Sequence, residues 1–160
     1  MAIHCAWGHT TANGSPAITP TSLLVGDFYG QSFFAIDRFT GQQRWRVETA
    51  PGYPGVSNSP VAHQGRVYAA AQGGVYAVDE LTGTILWSRT DLLVASDVAI
   101  CGRLLLVQAF NVTALDPMTG RTLAAVLEPS GTENLTSALA VSGNRAFVVG
   151  LEKSYGLVCS

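Results

Sequence analysis

The feature that most constrains this chain is an internal repeat. The stretch Ala35-Ile-Asp-Arg-Phe-Thr-Gly-Gln-Gln-Arg-Trp45 is matched by Ala77-Val-Asp-Glu-Leu-Thr-Gly-Thr-Ile-Leu-Trp87, and both read A-x-D-x-x-T-G-x-x-x-W. A third copy, Ala114-Leu-Asp-Pro-Met-Thr-Gly-Arg-Thr-Leu-Ala124, carries alanine where the others carry tryptophan. Asp37, Asp79 and Asp116 therefore recur at steps of 42 and 37 residues. A second register agrees, because Ser15-Pro16, Ser59-Pro60, Ser96-Asp97 and Ser137-Ala138 each open an apolar segment, at steps of 44, 37 and 41. Units that recur at such a period cannot bury an apolar face alone, so neighbours must stack.

The second unit shows what each repeat contains. Apolar runs at 60–62, 67–71, 75–79 and 84–88 alternate with the turn signals Gln64-Gly65 and Gln72-Gly-Gly74, the pattern of four short strands in a meander. No run holds a 3.6-residue period with caps, so almost no helix is expected. Short strands in fours at this period predict an all-β fold, a β-propeller of about four four-stranded antiparallel blades. On this reading blade 1 covers 15–47, blade 2 covers 59–89 and blade 3 covers 96–127. Residues 137–160 supply strands a to c of blade 4, and 1–14 supply its strand d and a loop.

The motif has a local physical logic. The hairpin between strands c and d needs a tight turn. Asp37, Asp79 and Asp116 are suited to accept hydrogen bonds from backbone N–H groups two or three residues on, and Gly41, Gly83 and Gly120 to take a positive φ near the turn's end. Trp45 and Trp87, on strand d, are expected to bury their indoles against the neighbouring blade. Ala124 removes that contact from the third unit.

Apolar residues make up 48% of the chain and charged residues 12%, with a net charge of −2, which excludes a disordered chain and offers no basic patch for nucleic acid. The most apolar stretch, 92–110, is interrupted by Asp97, Gly102 and Arg103 and falls short of a membrane span. Residues 1–7 do not read as a signal peptide. His4, His9 and His63 lack metal-ligand spacing, no nucleophile and base are placed by a motif, and no cofactor is expected. Cys5, Cys101 and Cys159 are an odd, sparse set, expected as buried small hydrophobes and not as a disulfide framework. Aligned to the second unit, Cys5 and Cys159 fall on opposite faces of adjacent strands, against a bridge between them.

The A-x-D-x-x-T-G-x-x-x-W stretch resembles the tryptophan-docking motif of the PQQ-type repeat proteins, a group that includes quinoprotein alcohol dehydrogenases and outer-membrane assembly lipoproteins of the BamB kind. The likeness covers 15–160. It implies a propeller and, for a secreted precursor, a periplasmic or extracellular setting. The dehydrogenases of the family pair adjacent cysteines over the quinone and bind Ca²⁺ through Glu, Asn and Asp; no adjacent cysteines occur here, and no catalytic residue is carried over. The function expected is a non-catalytic scaffold for a protein or peptide, the alternative being a fragment of a PQQ- and calcium-dependent alcohol or sugar dehydrogenase.

Residues 3–7 end in Trp7 as strand d of blade 2 ends in Trp87, so they read as the strand d that the fourth blade lacks. Three arrangements follow: a closed four-bladed ring, a homodimer completing an eight-bladed ring with each chain lending its strand, or a fragment of a longer propeller. Loops from strand d to the next strand a gather at the funnel mouth. There Asn13, Ser57, Asn58, Asp97 and Asn134 are the candidate ligand-binding residues, and the alternative is that they simply make turns.

Overall fold

A computed structural model describes residues 15–27, 29, 31–52, 59–92, 97–109, 111–126, 139–149 and 154–159. These form fifteen strands and no helix. Blade 1 consists of β1 (Ala17–Ile18), β2 (Ser22–Asp27), β3 (Ser32–Asp37) and β4 (Gln43–Glu48); blade 2 of β5 (Val61–His63), β6 (Arg66–Ala71), β7 (Gly74–Asp79) and β8 (Ile85–Arg89). Blade 3 holds β9 (Asp97–Cys101), β10 (Leu104–Gln108), β11 (Val112–Leu115) and β12 (Thr122–Val126), and blade 4 holds β13 (Ala140–Ser142), β14 (Arg145–Val149) and β15 (Ser154–Val158). Each sheet is an antiparallel meander in chain order. The expected propeller architecture is present, and among the described residues the stack of blades is not closed by pairing of its first and last sheets.

The registers of the blades superimpose. Arg66 pairs with Asp79 and Arg145 with Val158, while Leu105 pairs with Leu115, one step beyond Asp116. Trp45 stands opposite Ala35, Trp87 opposite Ala77 and Ala124 opposite Ala114, each beside a bulge at the same place. One detail of the second register changes. By the β9–β10 pairing, Asp97 and not Ser96 occupies the place of Ser59.

Alternate residues of each inner strand face opposite blades, and three apolar clusters fill the spaces between sheets. Leu24, Phe33, Ala35, Trp45 and Val47 meet Val67, Ala69, Tyr76 and Val78 between blades 1 and 2. Tyr68, Ala70, Val75 and Ala77 meet Val98, Leu105, Val107 and Leu115 between blades 2 and 3. Leu106, Val112 and Ala114 meet Ala146 and Val148 between blades 3 and 4. The inner strands of blades 1 to 3 are buried on both faces, and so read as near-continuous apolar runs, whereas β14 alternates buried and exposed residues. At the first end of the stack Val25, Phe34 and Ile36 form a further buried cluster.

The cysteine expectation is corrected. Cys101, at the end of β9, and Cys159, just after β15, form a disulfide with Cα atoms 5.9 Å apart. Comparing Cys5 with Cys159 missed it, because the pair that meets lies on successive blades and not on neighbouring strands of one sheet. Cys5 and residues 3–7, with Trp7, lie outside the described residues, as does the pairing expected of them with β15.

Candidate functional site

The repeated motif builds the same turn in blades 1, 2 and 3, at the end of the stack that carries the c–d turns. Asp37 Oδ1 accepts from the N–H groups of Phe39 and Thr40, both at 2.9 Å, and Asp79 Oδ1 accepts from Leu81 at 3.1 Å and Thr82 at 2.9 Å. Asp116 Oδ1 accepts from Met118 at 2.7 Å. All three carboxyls lie below the ordinary carboxylate range. The cause is the Arg44 guanidinium first for Asp37, the Thr82 N–H first for Asp79 and the Met118 N–H first for Asp116.

Gly41, Gly83 and Gly120 each take φ near +70° and donate their N–H to the carbonyl of the turn's own Asp. At Gly83 the reason for glycine is twofold. A Cβ there would sit 2.6 Å from Cγ of Trp45, and one at Gly120 would sit 2.8 Å from the ring of Trp87. The glycine of one blade is thus the seat for the tryptophan of the blade before. Trp45 Nε1–H donates to the Glu80 carbonyl at 2.9 Å, and Trp87 Nε1–H to the Pro117 carbonyl at 3.0 Å. Trp45 is buried and meets Phe33 edge-to-face at 5.9 Å; Trp87 is half-buried beside Tyr68, whose hydroxyl donates to the same Pro117 carbonyl.

The third interface lacks this device. Ala124 has no indole to donate. The residue of blade 4 that corresponds to Glu80 and Pro117 is Cys159, one beyond the Asp place, which is Val158. A backbone bond marks the equivalence: Glu80 donates to the Gly65 carbonyl just before β6, and Cys159 donates to the Asn144 carbonyl just before β14. The disulfide therefore ends at the residue type of position that receives a tryptophan at the other two interfaces.

Of the candidate ligand residues, Asn13, Ser57, Asn58 and Asn134 lie outside the described residues. Asp97 is buried at the start of β9, and its Oδ2 accepts the N–H of Leu139 at 2.7 Å. That bond ties blade 3 to the opening of blade 4, and burial raises the carboxyl above its ordinary value. A cleft of about 560 Å³ lies at the opposite end, lined by His63, Arg103, Leu104, Asp116, Met118 and Leu123 among others, between blades 2 and 3; nothing in the motif spacing marks it. Among the described residues no three His, Cys, Asp or Glu side chains stand together as metal ligands, and the two bridged cysteines are 58 residues apart. No two cysteines of the chain are adjacent.

Blade 4 presents the other distinctive surface. Leu24, Tyr68 and Leu106 occupy one register place in β2, β6 and β10, and are 0%, 1% and 3% exposed beneath the next blade. The same place in β14 is Phe147, which is 47% exposed. Val149 and Val158 share its face and are also exposed. Gly156 stands opposite Phe147, at the place of Ala35, Ala77 and Ala114.

The sequence is matched over residues 5–160 by the model of a protein family described as outer membrane protein assembly factor BamB. The chain belongs to this PQQ-repeat family. No curated protein sequence matches it. Among solved structures, the computationally designed Ika4 protein is similar at 16% identity and TM-score 0.76, with 96% of this chain and 94% of that one covered. BamB from Moraxella catarrhalis is similar at 17% identity and TM-score 0.69, covering 92% of this chain and 50% of that one. The designed Ika8 protein gives TM-score 0.74 at 16% identity, with 94% of this chain and 47% of that one. The PQQ-repeat chain thus spans about half the length of BamB and of Ika8. A europium-containing methanol dehydrogenase is also similar, at TM-score 0.65 and 18% identity, with 77% of this chain and 27% of that one. Among the described residues no helix is long and apolar enough to cross a membrane.

Proposed function

We propose that this chain is a non-catalytic PQQ-repeat scaffold that binds protein, and that its first partner is a second copy of itself, the two completing an eight-bladed ring. The observation that carries the reading is the outer face of blade 4, where Phe147 stands exposed at the place that every preceding blade buries under its neighbour. A surface built to the pattern of a blade–blade contact is complementary to another blade. The span of this chain across about half of the larger propellers supports a half ring. Apolar faces of this kind mark interaction sites when they stay exposed.

The family description supports a role in protein assembly, and the Cys101–Cys159 bridge supports a setting outside the reducing cytosol, such as the periplasm. Sedimentation equilibrium tests the assembly directly. The wild-type chain is expected at twice its monomer mass at micromolar concentration, and Phe147→Asp at the monomer mass with an unchanged circular dichroism spectrum. A wild-type chain that stays monomeric at tens of micromolar would refute self-pairing.

A further inference from the structure

Two interfaces of this stack share one fastening, and the third has another. At the first two, an indole on strand d crosses to the next blade, lies on its turn glycine and donates to a carbonyl one residue past the Asp place. At the third, Ala124 supplies no indole, and the residue at the receiving place is a cysteine bonded to Cys101 of blade 3. The compensation runs between the same two blades that lack the indole. We propose that the Cys101–Cys159 disulfide is the substitute fastening of the third interface, so that oxidation holds blade 4 in place and reduction releases it.

The apolar contact that the described part of blade 4 makes with blade 3 contains no aromatic ring. That part has three strands against four in each other blade. It contributes Ala146, Val148 and the half-buried Leu139, Val141 and Leu157 to the shared cluster, aliphatic groups where the first interface has Phe33, Trp45 and Tyr76. One side-chain hydrogen bond across the interface runs from Leu139 N–H to Asp97. The bridge closes a loop with a sequence separation of 58, long enough for a large effect on the open state. Both sulfurs lie in the buried cluster, so the bridge is a staple inside the contact and not an exposed thiol-exchange site. Its reduction takes two electrons: the S–S bond breaks, each sulfur gains a proton, and dithiothreitol closes to its cyclic disulfide.

The test is hydrogen exchange with peptide resolution on the full chain, with Cys5→Ser throughout to prevent reshuffling. Peptide mapping without reductant should recover Cys101 and Cys159 linked. In dithiothreitol, amides of β13–β15 are expected to exchange on the order of 100-fold faster, while those of β6, β7, β10 and β11 keep their protection. The Cys101→Ala/Cys159→Ala variant should show the same pattern and not respond to dithiothreitol, which covers the case of incomplete reduction of a buried bond. Unchanged exchange in β13–β15 in both forms would overturn the proposal, as would loss of protection to the same extent in all four blades, since the bridge would then hold the whole fold.

Discussion

The contact between blades 1 and 2 and the contact between blades 3 and 4 solve the same problem with different chemistry. The first uses an aromatic side chain of large area, an N–H that needs an acceptor and a glycine that leaves room for the ring. The last uses a covalent bond between two small residues. The difference teaches that the repeat is a set of positions more than a set of residues. When strand d loses its tryptophan, the place that would have received it still makes the inter-blade link. An indole dock operates in any redox environment, whereas a disulfide holds only where it stays oxidised.

The largest effect that would break this comparison is loss of an indole. Trp45→Ala should cost about 3–5 kcal/mol in urea denaturation, because the ring is buried and seated on both Gly83 and Phe33. Trp87→Ala should cost about 2–3 kcal/mol, since that ring is half-buried. Equal losses would mean that burial does not grade the docks. Next come the seats. Gly83→Ala and Gly120→Ala should each destabilise by about 2–3 kcal/mol, combining a positive φ with a Cβ inside the ring's contact distance. The same change at Gly65, where φ is also positive but nothing lies within 4 Å, should cost only about 1 kcal/mol. That control separates the ring seat from backbone strain.

The smallest effects are those of pH, and they differ in sign between the turns and the third interface. Asp37, Asp79 and Asp116 have lowered carboxyls, so their contribution is present above the ordinary carboxylate range and is lost as pH falls below it. Asp97 is raised, so the folded state holds its proton more tightly, and stability is lost as pH rises from the ordinary value through the raised one. Asp97→Asn keeps an acceptor for Leu139 N–H and removes that loss. Denaturation midpoints of the variant should therefore fall less than those of the wild type between pH 4 and pH 7. An identical profile would show that Asp97 does not titrate in this range.

Much of the fold was legible because its punctuation is local. An Asp, a Thr-Gly and a Trp at fixed offsets each satisfy a need of the hairpin or of the next blade, and they repeat. The turn glycines were legible only in half of their role: a positive φ can be inferred from one hairpin, but the ring seat involves a residue 38 positions before Gly83 and appears only when blades stack. The Cys101–Cys159 bridge stayed hidden for the same reason. The register shows Cys159 at the place of Glu80 and Pro117, but it does not show that β9 of the preceding blade brings a cysteine beside it. Incomplete closure leads one to expect apolar faces exposed at both ends; blade 4 shows one, whereas Val25, Phe34 and Ile36 at the first end are buried. Asp97 illustrates the opposite limit, since a polar residue in a loop-adjacent position reads equally well as a ligand group or as a buried cap, and the burial that decides is tertiary.

The account's central claim is that each dock is a local fastening between two blades, made by an indole at two interfaces and by a disulfide at the third. Exchange of the two indole protons, followed by ¹⁵N-edited NMR in oxidised and reduced protein, measures it most directly. Both Nε1–H protons should exchange far more slowly than a free indole, Trp45 more slowly than Trp87, and both should keep that protection after reduction. An indole exchanging at the free rate in the oxidised protein, or one losing its protection when the disulfide is reduced, would contradict it.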